Sequence, residues 1–317
     1  MTINIKEIKA IRVATGAALA ELGAERKDIV ALDADLAHAT MSCTFGEKFP
    51  DRFFNCGIAE QNMICMAAGL AISGFVPVAS TFAMFGAGRA YEQVRNSVCY
   101  PHLNVKLVFS HSGLSVGEDG GSHQAIEDIS LMRSIPGMTV LVPCDGNEAR
   151  KALRAAVTFK GPVYIRAARL PSPVFTADDA PFEIGKAVTL REGGDVAIIA
   201  TGLMVYQALL AAEELEKTGI QATVLNIHSI KPIDRQAIID VARKTRRVIT
   251  VEEHSVIGGL GSAVAEVLSE ECPTALKRMG VQDRFGQSGT PEALLDYYGL
   301  TSKHIVETAK EVVERVK

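Results

Sequence analysis

The sequence predicts an α/β protein of two consecutive domains, each built on a parallel or mixed sheet covered by helices. Three observations lead there. Short apolar runs of strand length alternate with longer stretches of helical periodicity along the chain. At 317 residues the chain exceeds what one ordinary core organises, so two domains of roughly 130–180 residues are the default. The alternation also breaks once, at LPSPVFTADDAP (170–181), where three prolines and two adjacent aspartates exclude a helix or a central strand. The first domain is therefore expected over 1–170, a linker over 171–184 and the second domain over 185–317.

Taken in order, Ile8, Ile11, Leu19 and Leu22 recur at helical spacing and predict a helix over 5–22, which Gly23 can close. The apolar run 29–32, ending in Asp33, reads as a buried strand. Strand-like runs follow at 76–79, 105–109, 139–142 and 163–165, with helical stretches between them at 60–73, 88–98, 125–134 and 147–159. Strand and helix in turn imply a parallel sheet covered on both faces. Beyond the break come a strand at 196–200, a helix at 205–217, a strand at 222–226, a helix after Pro232, a strand at 247–251, and helices to the end.

Bulk properties narrow the function. A net charge of −4 with dispersed basic residues offers no field for nucleic acid, although a pocket for a small anion needs only a few local charges. The N-terminal MTINIKEIKA has no apolar run of the kind a secretory signal needs, and no stretch of about 20 apolar residues could span a membrane. Six scattered cysteines without a C-x-x-C pair argue against both a zinc site and a disulfide framework, as expected for a cytoplasmic protein.

Two stretches carry chemistry. In 49–85, FPDRFFNCGIAEQNMICMAAGLAISGFVPVASTFAMF, Glu60 stands where a loop turns into a helix apolar almost all round (Met63, Ile64, Met66, Ala67, Leu70, Ile72). Such a helix must be covered on every side, which points to a subunit interface along it. Glu60 by itself also reads as an ordinary carboxylate at a helix start, favoured by the dipole. In 109–129, FSHSGLSVGEDGGSHQAIEDI, a glycine-rich loop follows a strand, where α/β proteins bind ligands. It carries His111, Glu118, Asp119 and His123. Its plainer reading is a solvated turn.

CGIAEQNM, STFAMF and GEDGGSHQ, in this order and spacing, resemble the pyrimidine-binding domain of transketolases and of the related deoxyxylulose-phosphate synthases. The likeness is strong from about residue 5 to 169. It continues more weakly through the second domain, which is similar to the family's C-terminal domain. The resemblance implies a subunit of a thiamine-diphosphate-dependent transketolase. In that family a glutamate at the position of Glu60 hydrogen-bonds the coenzyme's aminopyrimidine ring, and Phe82 and Phe85 match the aromatics packed on that ring. Burial against aromatics disfavours a charged carboxyl, which suits an acid that must share a proton. Asp35, in DADLAH, matches an acid near the cofactor. His123 matches the histidine that moves protons during carbon–carbon cleavage, a task suited to an imidazole. Asp119 matches the acid that reads a substrate hydroxyl, and His111, Arg12 and Arg166 match residues that hold the sugar phosphate. Two positions depart from the pattern. Ala39 stands where many members have a phosphate-binding serine, and Gly88 where an aromatic is expected, so the acceptor sugar stays open.

The family's diphosphate and magnesium motif, G-D-G with a later asparagine, has no counterpart in the sequence; GEDGG (117–121) is a different loop. No metal ligands are therefore expected on this chain. The resemblance then implies a partner chain, an N-terminal transketolase subunit that holds Mg2+ and the coenzyme's phosphates, with self-association in an α2β2 heterotetramer. The glycines in EEHSVIGGLGSAVAE (252–266) miss the dinucleotide fingerprint, with Val264 at its third glycine position, and read as close packing at a helix start. Rival readings are a β-type subunit of a 2-oxo-acid dehydrogenase, a deoxyxylulose-phosphate synthase, and a non-catalytic assembly subunit.

Overall fold

The computed structural model describes residue 3 and residues 5–315; the outermost positions of both expected domains lie outside these. The chain enters through a short strand, β1 (Glu7–Ala10), and a helix over Ile11–Glu25. Six strands follow, β2 (Ile29–Asp33), β3 (Phe53–Asn55), β4 (Val76–Phe82), β5 (Lys106–Ser110), β6 (Thr139–Leu141) and β7 (Val163–Arg166). They lie side by side in the order β6-β7-β5-β4-β2-β3, all parallel. Strands β2, β4 and β5 are buried along their whole length, which is why they read as continuous apolar runs rather than as alternation.

After β8 (Pro171–Val174) the second half contributes β9 (Val188–Arg191), β10 (Val196–Ala200), β11 (Ala222–Asn226), β12 (Ser229–Lys231), β13 (Arg247–Ser255) and β14 (Ala275–Val281). Its sheet runs β14-β13-β10-β11-β9, parallel except for β9. Strand β12 crosses over and pairs antiparallel with β6 at the edge of the first sheet. One apolar core accordingly includes Leu32 and Val140 of the first half and Ile199, Leu225 and Val264 of the second. The architecture is the expected α/β class with mixed sheets.

Four local expectations are corrected. The helix expected from residue 5 starts at Ile11, because Glu7–Ala10 pairs antiparallel with β8. Strand β8 itself lies inside the expected linker; Pro171 and Pro173 are tolerated because this is a two-stranded ribbon with free edges. Gly23 does not end the first helix. It sits within it, where a Cβ would strike the rings of Phe45 and Phe49. The stretch 88–98 is not one α-helix but two π-helical segments, Met84–Arg89 and Val94–Cys99, separated by a single α turn. Strands β3, β9, β12 and β14 were not foreseen; β3, β9 and β12 are short and partly polar, and β14 is exposed over much of its length. Among the described residues no helix is long and apolar enough to cross a membrane.

Candidate active site

The carboxyl ends of β2, β4, β5 and β7 lie along one edge of the first sheet, and the side chains of interest extend from that edge. Strand β4 ends in Phe82, whose ring stacks on Phe85 with centroids 5.7 Å apart and an interplanar angle of 22°. His111 follows directly on β5 and stacks on the ring of Phe82, centroid to centroid 3.7 Å. His123 meets Phe85 edge-on at 5.3 Å. His111 has φ 56°, a backbone conformation costly for a residue with a Cβ and the kind of strain that collects at functional sites. Its Nδ1 lies 2.9 Å from Ser110 Oγ. Burial, followed by the positive charges of Arg12 and Arg169, pushes its pKa down to about 3. His111 is therefore a neutral imidazole at physiological pH.

Glu60 is the first residue of the helix Glu60–Ile72, and its carboxyl group is 2% exposed. Arg89 Nη1 donates to Glu60 Oε2 at 2.8 Å, and the same guanidinium lies 4.6 Å from the ring centroid of Phe85. A buried carboxylate linked through one guanidinium to a pair of stacked aromatics is a set of groups suited to a flat, nitrogen-bearing heteroaromatic ring. The faces pack on phenyl groups and one ring nitrogen meets the acid. The aminopyrimidine of thiamine diphosphate fits that set. Among the described residues no group of three or more His, Cys, Asp or Glu side chains is arranged to hold a metal ion.

The glycine-rich loop forms a 3-10 segment over Leu114–Asp119 that leaves Glu118 and Asp119 exposed. Arg169 reaches this loop from beyond β7. It donates to the carbonyl of Val116, and its Nη1 lies 3.7 Å from Asp119 Oδ2 and 3.9 Å from Glu118 Oε2. Arg12 donates to the carbonyl of Ala39 at 2.6 Å, while its Nε is buried without a hydrogen-bond partner. Burial and the like charge of Arg169 hold its pKa below the usual arginine value. Arg12, Arg169 and neutral His111 thus form a positive cluster able to receive an anionic group. Asp35, with φ 64°, exchanges hydrogen bonds with Asn55 at the end of β3 and lines an open cavity of about 640 Å³ with His38 and Ala39.

Arg166 is the expectation that fails. It is the last residue of fully buried β7 and 5% exposed, and its Nε and Nη2 donate to Asp128, to the carbonyl of Ala125 and to the carbonyl of Glu253. A guanidinium engaged in this way is a structural pair, not a phosphate clamp. The residue missed was Arg169, three positions later in RAAR. The sequence reading ended this strand at residue 165, and only the structure shows that it runs on to include Arg166. Arg89 was missed too, because nothing in its neighbourhood shows that it spans Glu60 and Phe85.

Comparison with known proteins gives the family. Residues 8–173 match the family model for the transketolase pyrimidine-binding domain, and residues 185–305 that for the transketolase C-terminal domain. A 6-deoxy-6-sulfo-D-fructose transketolase subunit of Clostridium sp. (strain MSTE9) is 50% identical over 287 residues, 90% of this chain and 89% of its own length. A 1-deoxy-D-xylulose-5-phosphate synthase of Desulfitobacterium hafniense (strain DSM 10664 / DCB-2) is 40% identical over 308 residues, 95% of this chain but 48% of the synthase. Among solved structures, a split-gene transketolase described as an inactive β4 tetramer superposes with a TM-score of 0.90 at 51% identity, over 96% of this chain and 99% of that one.

Proposed function

Starting from the premise that the chain belongs to the transketolase family, a family of thiamine-diphosphate enzymes, we propose that it is the C-terminal subunit of a split transketolase, moving a two-carbon ketol unit from a ketose phosphate to an aldose. The observation that carries this reading is Glu60, a nearly water-free carboxyl joined through Arg89 to Phe85, which stacks on Phe82. Thiamine diphosphate, when bound, would supply the nucleophilic carbon needed for cleavage of the ketose carbon–carbon bond next to the carbonyl. The rest falls to the protein. Phe85 and Phe82 pack against the ring, and Glu60 holds its nitrogen in the protonation state the chemistry needs. Asp35 borders the coenzyme side of the site. His123, edge-on to Phe85, takes and returns the proton of the reacting hydroxyl. Asp119 accepts from a substrate hydroxyl. Arg12, Arg169 and neutral His111 hold the anionic end of the sugar.

The partner is proposed to be an N-terminal transketolase subunit bearing Mg2+ and the coenzyme's phosphate grip. The 51% identical relative, an inactive β4 tetramer of a split-gene enzyme, supports both self-association and dependence on a second chain. Glu60→Ala in the reconstituted complex is expected to lower ketol transfer by about 10²–10⁴-fold, with the assembly's mass by light scattering unchanged. Wild-type turnover in that variant would sink the assignment. The likeness to the synthase gives a second reading, a half of a deoxyxylulose-phosphate synthase. Supplying the complex with a ketose and aldose pair, and separately with pyruvate and an aldose phosphate, decides between them.

A further inference from the structure

We propose that the guanidinium of Arg89 is a built-in stand-in for the coenzyme's aminopyrimidine ring, filling the ring's subsite in the uncombined subunit and leaving it only when the coenzyme enters. This rests on the coenzyme reading of Glu60 and Phe85. That reading gives the ring two contacts, a stack on Phe85 and a hydrogen bond to Glu60, and Arg89 makes both. Its flat cation lies 4.6 Å from the Phe85 centroid, and its Nη1 lies 2.8 Å from Glu60 Oε2.

The two ends of the pair differ in freedom. Glu60 is 2% exposed and anchored at the start of a helix, whereas the Arg89 side chain is 47% exposed. The arginine can therefore swing into solvent without disturbing the core. A buried carboxylate without a partner is costly, so the occupied subsite is the stable state of the single subunit. Gly88, where an aromatic was expected, presents no side chain to compete for that place. Arg89 also closes a π-helical segment, Met84–Arg89, a backbone form found mostly at functional sites. Any ring must displace the guanidinium, so apparent affinity falls by the fraction of molecules in which the subsite is open.

The test uses the full chain and the free ring, 4-amino-5-hydroxymethyl-2-methylpyrimidine, titrated by calorimetry. Arg89→Ala and Arg89→Gln are expected to bind it about tenfold more tightly than wild type. The Arg89→Ala/Glu60→Ala double variant should lose that gain. Arg89→Ala should also melt below wild type, because Glu60 loses its partner; the glutamine variant keeps a donor and guards against misfolding. Affinity unchanged or weaker in both single variants overturns the proposal while leaving the coenzyme reading to the activity of Glu60→Ala. Undiminished ring affinity in the double variant overturns the coenzyme reading of Glu60, and this proposal with it.

Discussion

Arg166 and Arg169 stand three residues apart and do opposite work. Removing Arg166 leaves Asp128 buried as an unpaired carboxylate, whose low pKa burial opposes and the guanidinium maintains. Arg166→Ala is expected to cost about 3–5 kcal/mol in denaturant unfolding. Arg169→Ala, at a half-buried position whose ion pairs are long, should cost less than about 1 kcal/mol in stability and raise KM for a phosphorylated ketose by about tenfold or more. The reverse pattern would return Arg166 to the substrate site. Nearby, His254 is fully buried, with Nδ1 2.7 Å from the carbonyl of Ser255 and Nε2 3.3 Å from the amide of Ser130. Burial pushes its pKa down to about 4, against 6.5 in an unfolded chain. The unfolded state takes up the proton first, so stability present above pH 6.5 is lost as pH falls toward 4. By pH 5 this one group accounts for about 2 kcal/mol. Glu252, raised by burial to about 7, acts with the opposite sign, since its contribution is lost as pH rises from 4.5. His254 Nδ1 lies 3.7 Å from Glu252 Oε2, so His254→Gln removes the histidine and its coupling to that acid together; the variant's melting temperature should fall less than the wild type's between pH 7 and pH 5.

At the scale of elements, glycines decide how closely the two halves meet. Gly120 has φ 74°, and a Cβ there would stand 2.5 Å from Ser288 Oγ of the second half. Gly120→Ala is expected to cost about 1–2 kcal/mol, read by denaturant unfolding, and to loosen the loop that carries Asp119 and His123, read as a raised KM. The glycines that imitate a dinucleotide motif have a similar explanation. Glu252 accepts from the amides of Leu260 and Gly261 at the start of the helix Leu260–Glu271, and a side chain at Gly259 would strike that carboxylate. The helix start already has its own carboxyl group as acceptor.

At the scale of the molecule, the helix Glu60–Ile72 buries Met63, Ile64, Ala67 and Ala68 and leaves Met66 36% and Ile72 75% exposed, with Phe75 at 38% just beyond its end. An apolar strip of this kind is normally covered. Because it begins at Glu60, covering it with a second copy would also enclose the candidate site. Ile72→Asp is expected to shift the chain to a smaller species in light scattering with its melting curve nearly unchanged. An unaltered mass would place the self-association surface elsewhere.

The sequence by itself determined the α/β class, the central strands and the ordered motifs around Glu60, Phe82, Phe85, Asp119 and His123. These are local signals, and a fully buried parallel strand announces itself by composition wherever it lies. Only the tertiary structure decided that β12 crosses to the first sheet, that the proline-rich stretch finds a partner in β1, and that Arg169 rather than Arg166 reaches the loop. It also decided that Arg89 joins Phe85 to Glu60. Which distant strand supplies a hydrogen-bonding edge, and which way a long cation turns at a strand's end, depend on packing between residues far apart in the chain, and no local periodicity encodes that.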